Sequence, residues 1–454
     1  MDLNKNIFRE YDIRGVVAED FQKGIVESLG KAFGTYIIKK GWKTISVSGD
    51  IRETSIELKD NFINGLLTTG VNVIDIGIVP TPTNYFSMYF LNTDAAVQIT
   101  GSHNPPEFNG FKFSCKKESF YGQKIQELKK LIQNKKYIQG NGTLKTKNII
   151  NDYIEMLESK IKINKKMKVI IDCGNACGCL TAPETLKRIG VEVKELYCDV
   201  DSTFPNHHPD PTVDSNLNDI ISEIKKGDFD LGIAFDGDAD RIVAIDENGK
   251  IIRSDNLIAL FLPETITKEN KKIIFDVKCS EALEEMITYY GGEPLMWKTG
   301  HSLIKDKMKQ EKVTFAGEMS GHIFFADDYY GFDDALYVGL RLLQLLSNTN
   351  KKLSELTNQI PKYYSTPEMR LNCKNDNEKF EITDKAIKYF EEKHKCITID
   401  GVRIKFKNGW GLVRSSNTQP VIVCRFEAED PKKLEEIKDY VLNKLNEFGE
   451  ISYE

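Results

Sequence analysis

Residues 168–197 read KVIIDCGNACGCLTAPETLKRIGVEVKELY, and their pattern indicates an α/β fold. An apolar run, KVIID, is followed by a glycine-containing loop, a helix-like segment and a second apolar run, VEVKELY. A strand, a helix and a parallel strand of about 30 residues make one βαβ unit. The same plan begins again at residues 44–50 (TISVSGD) and at residues 272–276 (KIIFD). We therefore expect three related α/β domains, with one large α/β sheet as the alternative.

The last ninety residues follow a different plan. Residues 401–406, 412–414 and 421–427 are apolar runs joined by turn residues, which predicts antiparallel strands. Residues 431–448 place Leu434, Ile437, Val441 and Leu445 at helical spacing. This arrangement predicts a small C-terminal α+β domain, and residues 361–367, with a proline at each end, are a candidate linker.

Composition excludes several classes of protein. The 454 residues carry a net charge of −6, which argues against nucleic-acid and anionic-membrane partners. A hydrophobic content of 40% excludes a disordered chain, and the apolar runs are too short for a transmembrane helix. The charged N-terminus does not resemble a signal peptide, so we expect a cytoplasmic protein. The nine cysteines are scattered, which predicts reduced thiols, and the cluster of Cys173, Cys177 and Cys179 does not complete a metal site.

Residues 100–112 read TGSHNPPEFNGFK and follow the apolar run at 95–99. Glycines, prolines and asparagines predict an irregular turn at the C-terminal end of a strand, where open α/β sheets place ligands. Ser102 at its tip is a candidate nucleophile or phosphate carrier, His103 is adjacent, and Lys112 can balance a phosphate charge. A simple Ser-Asn-Pro turn is the structural alternative.

Residues 236–241 read DGDADR between the apolar runs LGIAF and IVAI. Asp236, Asp238 and Asp240 alternate, so their carboxylates can converge on one hard cation such as Mg²⁺. An EF-hand is disfavoured because Arg241 stands where that loop needs glycine and because the flanking runs resemble strands. A solvated acidic turn is the alternative.

Three further polar turns suit a phosphorylated ligand. Residues 414–420 (RSSNTQP) can form an anion nest with the charge of Arg414, helped by Arg425, although a polar hairpin would look the same. Residues 317–322 (GEMSGH) offer Glu318 and Ser320 to sugar hydroxyls, and His301, in KTGHS, can exchange a proton near neutral pH. Together the motifs indicate phosphoryl transfer on a phosphorylated polyol.

These motifs, in this order, resemble those of the α-D-phosphohexomutase superfamily, and most closely its bacterial phosphomannomutase/phosphoglucomutase members. The resemblance extends along nearly the whole chain and includes FREYDIRG (8–15), TGSHNPP, FPNHHPDP (204–211), DGDADR, GEMSGH, NGWGLVR (408–414) and RSSNTQP. It implies three α/β domains and a C-terminal α+β domain around an active-site cleft between all four. The implied divisions are 1–148 with the phosphoserine loop, 149–252 with the metal site, 253–365 with sugar specificity, and 366–454 with phosphate binding.

The resemblance also implies roles for individual residues. Ser102 would be the phosphoserine and, with Asp236, Asp238 and Asp240, a ligand of Mg²⁺. Catalytic roles are implied for Lys112, His301, Arg241 and Arg14, with the general base open between His301 and Lys112. The implied substrate-binding residues are Tyr11, Lys278, Glu318, Ser320, His322, Arg414, Ser415, Asn417, Thr418 and Arg425.

The implied reaction interconverts hexose 6-phosphate and hexose 1-phosphate, of mannose or glucose, through a hexose 1,6-bisphosphate that also serves as activator. The implied partners are sugar phosphates alone, and we expect a monomer or weak homo-oligomer. A phosphoglucosamine mutase is one alternative, although the methionine of GEMSGH favours mannose and glucose. A metal-dependent sugar phosphatase and a non-catalytic sugar-phosphate sensor are the others.

Overall fold

The computed structural model describes residues 3–416 and 421–453. The chain forms two compact units, Met1–Leu257 with Ser320–Thr357 and Ile258–Met319 with Asn358–Glu454. The first of the three points at which the chain passes from one unit to the other lies within helix Ser254–Thr265.

The first unit contains a mixed sheet built around the βαβ unit predicted at residue 44. Strand Thr44–Gly49 pairs in parallel with Asn72–Ile78 and with Ala95–Ile99, and Phe108–Cys115 pairs antiparallel with the latter. The edge strands are Ile13–Val16 and Leu144–Thr146, and Glu118–Ser119 pairs with Phe108–Cys115. The helices of this part of the chain are Val17–Asp20, Lys23–Lys39, Glu53–Leu67, Thr81–Phe90, Gln123–Asn134 and Ile150–Lys160, with a 3₁₀ turn at Lys5–Ile7.

Phenylalanine rings fill the core between this sheet and its helices. Phe33 and Phe62 on two helices meet Phe111, Phe113 and Phe120, with ring centroids 4.7–6.3 Å apart. Because Phe111 and Phe113 alternate with Lys112 along one strand, burying their rings turns the lysine to the opposite face.

The second sheet of the first unit follows the order Ile251–Ile252, Ile242–Asp246, Leu231–Phe235, Lys168–Asp172 and Glu192–Leu196. Strands Lys168–Asp172 and Glu192–Leu196 are parallel, as the opening stretch predicts. Helix Ala335–Ser347 packs on this sheet, where Gly339 faces Ile233 and Ile242. The other elements are helices Ala182–Arg188, Asn218–Lys226 and Leu353–Thr357, 3₁₀ turns Cys177–Leu180 and Asp214–Leu217, and strand Ile323–Phe325.

The second unit contains the third βαβ repeat. Strand Lys272–Asp276 pairs in parallel with Glu293–Trp297 and with Phe315–Gly317. Helices Glu281–Tyr289 and His301–Glu311 connect these strands.

The C-terminal sheet, also in the second unit, is antiparallel. Its order is Lys395–Ile397, Val402–Phe406, Gly409–Ser415, Val421–Ala428, Met369–Asn372 and Ser452–Tyr453. Helices Asp376–Glu391 and Pro431–Phe448 contribute to its core, so the predicted C-terminal helix is confirmed. Residues 361–367 are not simply a linker, because Tyr364–Ser365 pairs with Val421–Ala428.

Four separate sheets confirm the predicted fold class of three α/β domains and one α+β domain, and exclude one large sheet. The three division points in the sequence stay a prediction. All nine cysteines are free thiols, as expected. Among the described residues, no helix combines the length and the apolar character needed to cross a bilayer.

Candidate active site

Ser102 lies in a strained loop just after strand Ala95–Ile99. Its φ angle of 50° falls in the left-handed region, which residues other than glycine rarely adopt. The Ser102 N–H donates to Thr100 Oγ1 at 2.8 Å, which fixes the turn. Ser102 Oγ lies 3.1 Å from Asp236 Oδ2 and 3.1 Å from His103 Nδ1. The loop therefore directs the serine hydroxyl towards the predicted metal-binding turn.

That turn gathers three buried carboxylates. Asp236, Asp238 and Asp240 are each 0% exposed, and one ligand atom from each lies within 4.8 Å of those of the other two. Asp236 Oδ1 accepts the N–H groups of Asp240 and Arg241 at 3.0 and 3.1 Å, which closes the turn. The flanking runs form strands, as predicted, and Leu231–Phe235 pairs antiparallel with Ile242–Asp246. A solvated acidic turn is excluded by this burial.

Two cations partly balance these carboxylates. Lys112 Nζ lies 2.6 Å from Asp238 Oδ2 and 2.6 Å from Asp240 Oδ2. Burial opposes the charge of Lys112, but the two aspartates outweigh it and raise the pKa of the ammonium group. Arg241 is the second cation, and its Nε lies 3.9 Å from Asp236 Oδ2. Three carboxylates therefore face two cations.

The remaining negative charge is unfavourable in this buried setting. Burial, followed by the charges of Asp240 and Asp238, raises the pKa of Asp236 well above its ordinary value. Burial alone would also raise the pKa of Asp238, but Lys112 outweighs it and lowers that pKa. The site thus holds excess negative charge that a bound cation would relieve.

The carboxylate oxygens fit a magnesium ion. Among the described residues, neither Asp238 Oδ1 nor Asp240 Oδ1 has a hydrogen-bond partner, although both are buried. A buried charged oxygen without a partner is costly, and a hard cation with oxygen ligands would compensate for it. The Ser102 hydroxyl beside Asp236 adds a fourth oxygen. The donor set therefore suits Mg²⁺ rather than a metal that prefers nitrogen or sulfur.

His322, predicted to bind substrate, lies beside the turn that contains Asp236, Asp238 and Asp240. Its Nε2 accepts a hydrogen bond from Arg241 Nε at 3.0 Å, and its Nδ1 lies 2.9 Å from Asp333 Oδ2. His103, next to Ser102, is also buried, and burial followed by Arg241 and Arg14 lowers its pKa well below the ordinary value. His103 is therefore neutral at physiological pH.

Arg14 joins the Ser102 loop through a different contact. Its Nη1 donates to Asn104 Oδ1 at 2.8 Å, and its Nη2 lies 2.6 Å from Asp12 Oδ2. Tyr11 precedes strand Ile13–Val16, which contains Arg14, and is partly exposed. The first unit therefore gathers Ser102, Lys112, Arg241, His322 and Arg14 around the three aspartates.

In the second unit, the structure joins two loops that the sequence treated separately. Glu318, of GEMSGH, accepts the Gly300 N–H at 2.5 Å, immediately before His301 begins its helix. Both loops are tied to Asp276, which accepts Met319 N–H at 3.2 Å and Thr299 Oγ1–H at 3.2 Å. His301 and Glu318 are therefore held together in this unit, whereas Ser320 lies at the start of a segment of the first unit.

The predicted phosphate-binding cations are held by carboxylates and carbonyls of the second unit. Arg414 Nε lies 2.9 Å from Asp400 Oδ2, and Lys278 Nζ lies 3.0 Å from Glu368 Oε2. Burial opposes the charge of Lys278, but Glu368 and Asp276 outweigh it and raise its pKa. Arg425 Nη1 donates to the Lys278 carbonyl.

The remaining residues predicted to bind phosphate are Ser415, Asn417 and Thr418. Ser415 Oγ lies 2.9 Å from Thr383 Oγ1, so this hydroxyl already faces a neighbouring helix. Asn417 and Thr418 lie outside the described residues.

Sequence reasoning missed three residues that position this chemistry. Arg52 Nη2 donates to the Ser102 carbonyl at 2.8 Å, Thr81 Oγ1 donates to Asp238 Oδ2 at 2.5 Å, and Asp333 lies against His322. Thr81 and Asp238 are 157 positions apart, so no local pattern could join them. Arg52 lies three residues after the first βαβ strand, Thr44–Gly49, and this position near the C-terminal end of a strand was the available signal.

Comparison with known proteins gives one consistent result. Four domain families match the chain in order: phosphoglucomutase/phosphomannomutase alpha/beta/alpha domains I, II and III at residues 5–139, 151–249 and 253–364, and the C-terminal domain at 368–444. A phosphomannomutase/phosphoglucomutase of Pseudomonas aeruginosa is 41% identical over 98% of this chain and 96% of its own. A phosphoglucomutase of Neisseria meningitidis is 40% identical over 96% of each chain. A solved phosphoglucomutase/phosphomannomutase family protein from Burkholderia thailandensis has a TM-score of 0.93 at 38% identity, covering 99% of this chain and 100% of its own.

Proposed function

Because this chain belongs to the phosphoglucomutase/phosphomannomutase family, we propose that it interconverts the 6-phosphate and the 1-phosphate of a hexose, with mannose and glucose as the sugars. The observation that carries this proposal is the position of Ser102 Oγ, 3.1 Å from Asp236 Oδ2 at the edge of a buried carboxylate triad. A hydroxyl in this position can carry a phosphoryl group next to a divalent cation.

The proposed reaction has two matched phosphoryl transfers. In the first, the bond between phosphorus and Ser102 Oγ breaks, and a bond forms between phosphorus and a hydroxyl oxygen of the hexose phosphate. The hydroxyl proton passes to a general base, and the product is a hexose 1,6-bisphosphate. In the second, the other phosphoryl group of this intermediate returns to Ser102 Oγ, and the sugar oxygen that it leaves takes up the proton held by the base, so the enzyme ends as it began.

The chain's own charges support this transfer mainly by positioning and neutralisation. Asp236, Asp238 and Asp240 would hold Mg²⁺ together with the oxygen of Ser102. When bound, the metal would supply Lewis-acid stabilisation of phosphoryl oxygens. Lys112 and Arg241 bring fixed positive charge beside the same carboxylates. We assign Arg14, anchored on Asn104 of the serine loop, to the reacting phosphate.

We assign recognition of the sugar and of its non-reacting phosphate to other motifs. Glu318 and Ser320 would bind sugar hydroxyls, while Tyr11 and His322 would contact the ligand near the serine loop. The distal phosphate would be bound by Arg414, Arg425, Lys278 and Ser415, with Asn417 and Thr418 from the same motif. His301 and Lys112 are the two candidates for the general base, and the aspartates that raise the pKa of Lys112 favour His301, because a protonated ammonium group cannot accept a proton.

The decisive experiment measures mutase turnover with mannose 1-phosphate and with glucose 1-phosphate, in the presence of Mg²⁺ and a trace of glucose 1,6-bisphosphate. We expect turnover of both sugars and its loss in Ser102→Ala. Ser114→Ala is the matched control, because it removes a buried serine hydroxyl from a neighbouring strand. Mass spectrometry should find one added phosphoryl group on Ser102 in the wild-type protein and none in Ser102→Ala.

Other outcomes would redirect the proposal. Release of inorganic phosphate without isomerisation would identify a phosphatase, and turnover of glucosamine 1-phosphate alone would identify a hexosamine mutase. If neither His301→Gln nor Lys112→Met lowered turnover, both general-base assignments would fail. We further propose that the protein acts in the cytoplasm as a monomer or weak homo-oligomer, on sugar phosphates and without nucleic-acid or membrane partners.

A further inference from the structure

Two thiols lie against each other at the ends of two paired strands. Cys173 directly follows strand Lys168–Asp172, and Cys198 stands two positions after the end of the parallel strand Glu192–Leu196. The Sγ of Cys198 lies 3.4 Å from the Sγ of Cys173, within hydrogen-bond distance for sulfur. Cys173 is 0% exposed, whereas Cys198 is only partly buried. The pair therefore combines an enclosed thiol with one that solvent can reach.

The backbone explains why these two side chains meet. Continued by one residue, the parallel register places Cys173 opposite Tyr197, so the next residue, Cys198, would ordinarily point to the other face of the sheet. Tyr197 has a φ of 51°, in the left-handed region, which breaks this alternation. The Cys173 N–H donates to the Leu196 carbonyl at 3.2 Å and keeps the two chains at strand spacing. That spacing, about 4.8 Å, lies within the Cα separations that disulfides span.

We propose that Cys173 and Cys198 are a reversible oxidation site, which forms a disulfide when the protein meets hydrogen peroxide. The peroxide first oxidises the accessible Cys198 to a sulfenic acid, and one molecule of water is released. The Cys173 sulfur then attacks the Cys198 sulfur, the S–O bond breaks, and the hydroxyl group leaves with the Cys173 proton as a second water. Two thiols thus give two electrons and two protons to one peroxide. A dithiol reverses the change by thiol–disulfide exchange.

The surroundings of each thiol give this order of events. Hydrogen bonds with Cys179 and Cys198, followed by burial, raise the pKa of the Cys173 thiol well above its ordinary value. Cys173 therefore stays protonated and away from solvent, which suits the thiol that attacks second. Cys198 is the more exposed of the two and meets the oxidant first. A partly exposed disulfide of this kind is of the labile type that cellular reductants reverse.

Cys179 is the competing partner for Cys173. It belongs to the 3₁₀ turn Cys177–Leu180, and its thiol donates to the Tyr197 carbonyl at 3.5 Å. Cys198 is favoured because the strand pairing holds its chain beside Cys173. A metal held by the three thiols is a further alternative. Among the described residues, however, the groups of possible ligands whose atoms all lie within 4.8 Å of one another consist of aspartates and a histidine.

The two thiols stand at the bases of two loops that reach the candidate active site. The loop after the buried thiol contacts the turn that contains the three aspartates, where the Cys177 N–H donates to the Gly237 carbonyl at 3.2 Å. The loop after the accessible thiol reaches the serine loop, where a ring nitrogen of His208 hydrogen bonds to the His103 carbonyl. A disulfide would draw the sulfurs from 3.4 Å to about 2.0 Å and tie these loops together. We therefore expect oxidation to lower turnover, an expectation that rests on the proposed function.

The first test reads the disulfide directly and needs no enzymatic activity. Native full-length protein is treated with hydrogen peroxide, alkylated and digested with trypsin. We expect a link between peptides 169–187 and 195–225, assigned by fragmentation to Cys173 and Cys198, and its disappearance after treatment with a dithiol. Cys198→Ser should abolish the link, and Cys179→Ser, the matched control in the same cluster, should keep it. A link through another thiol of the first peptide, or oxidation of Cys198 without any link, would overturn the proposal.

The second test compares mutase turnover of the reduced and the linked protein. Linking should lower kcat by about 10-fold, the usual effect of disturbing the contacts behind a set of ligands, and a dithiol should restore it. The same peroxide treatment should leave kcat of Cys198→Ser unchanged. Full turnover of linked wild-type protein would overturn the coupling between this pair and the active site. If the reduced protein had no turnover, the proposed function would fail, while the peptide link would still decide whether the disulfide forms.

Discussion

Arg52 holds the main chain of Ser102, because its Nη2 donates to the Ser102 carbonyl oxygen at 2.8 Å. The same guanidinium donates through Nη1 to the carbonyls of Pro105 and Phe108, at 2.6 and 3.1 Å, and its Nε lies 3.2 Å from Asp50 Oδ2. The side chain is only 3% exposed. One planar fork of donors thus connects the two ends of the serine loop to the first βαβ strand.

We expect Arg52→Met to disable the serine loop. Several buried carbonyl groups would lose their donor, and each is costly to leave unsatisfied. Mutase kcat and the melting temperature should both fall, the former by about 10-fold or more. Arg52→Lys should recover only part of kcat, because one ammonium group cannot reproduce the fork. Arg253→Met is the control, since Arg253 binds Asp214 at the surface; an equal loss there would contradict the assignment.

Gly237, between Asp236 and Asp238, is required by close packing against the serine loop. A Cβ at this position would lie 2.2 Å from the Ser102 carbonyl oxygen, which is backbone and cannot move aside cheaply. We expect Gly237→Ala to separate the two loops and to lower both Mg²⁺ affinity and kcat. Gly190→Ala is the matched control, because its φ of 81° adds backbone strain while no atom lies within 4 Å of the new Cβ. Gly190→Ala should lose stability and keep its turnover. If turnover were also unchanged in Gly237→Ala, the packing argument would be refuted.

The sequence predicts the residues that carry the chemistry of this site, but it does not predict the contacts that hold them in place. Ser102 and the three aspartates stand in compact motifs directly after apolar strands, so local spacing suffices to find them. Arg52 and Thr81 act through contacts across 50 and 157 positions, which only the fold of the sheet creates. Lys112 was found as a cation, but its pairing with Asp238 and Asp240 depends on how a strand packs beside a turn. Asp333 carries no motif, and only the structure shows that it lies against His322.

Asp236→Asn should make the protein more stable without magnesium and less responsive to it. Burial and the two neighbouring aspartates raise the pKa of Asp236, which means that its charge is unfavourable in the folded state at neutral pH. Asparagine removes this charge, and its oxygen can still accept the N–H groups of Asp240 and Arg241. Wild-type protein should gain about 2.7 kcal/mol when Mg²⁺ reaches 100 times its Kd.

Denaturant unfolding with a chelator measures the stability of each variant without metal. The same measurement with Mg²⁺ gives the stabilisation that the metal adds. Asp228→Asn makes the same chemical change at an exposed position and should behave as wild type in both conditions. If Asp236→Asn kept the full response to Mg²⁺, this carboxylate would not be a metal ligand.

Two histidines should give opposite dependences of stability on pH. Burial opposes the charge of His207, but Asp172 Oδ2 at 3.0 Å from its Nε2 outweighs burial and raises its pKa. Its contribution is therefore complete below the unfolded pKa of about 6.5 and is lost as pH rises through the higher folded value. Burial and Lys393 lower the pKa of His394, so protonation of this ring in the unfolded chain costs stability as pH falls below about 6.5.

Chemical unfolding at pH 5.5 and at pH 9, two values on either side of the ordinary histidine pKa of about 6.5, separates the two effects. Relative to wild type, His207→Gln should be more destabilised at the lower pH, because there it loses a charged partner of Asp172. His394→Gln should be less destabilised at the lower pH, because it removes a ring whose protonation favours unfolding. A loss in His207→Gln that did not change with pH would show that the ion pair with Asp172 does not contribute to stability.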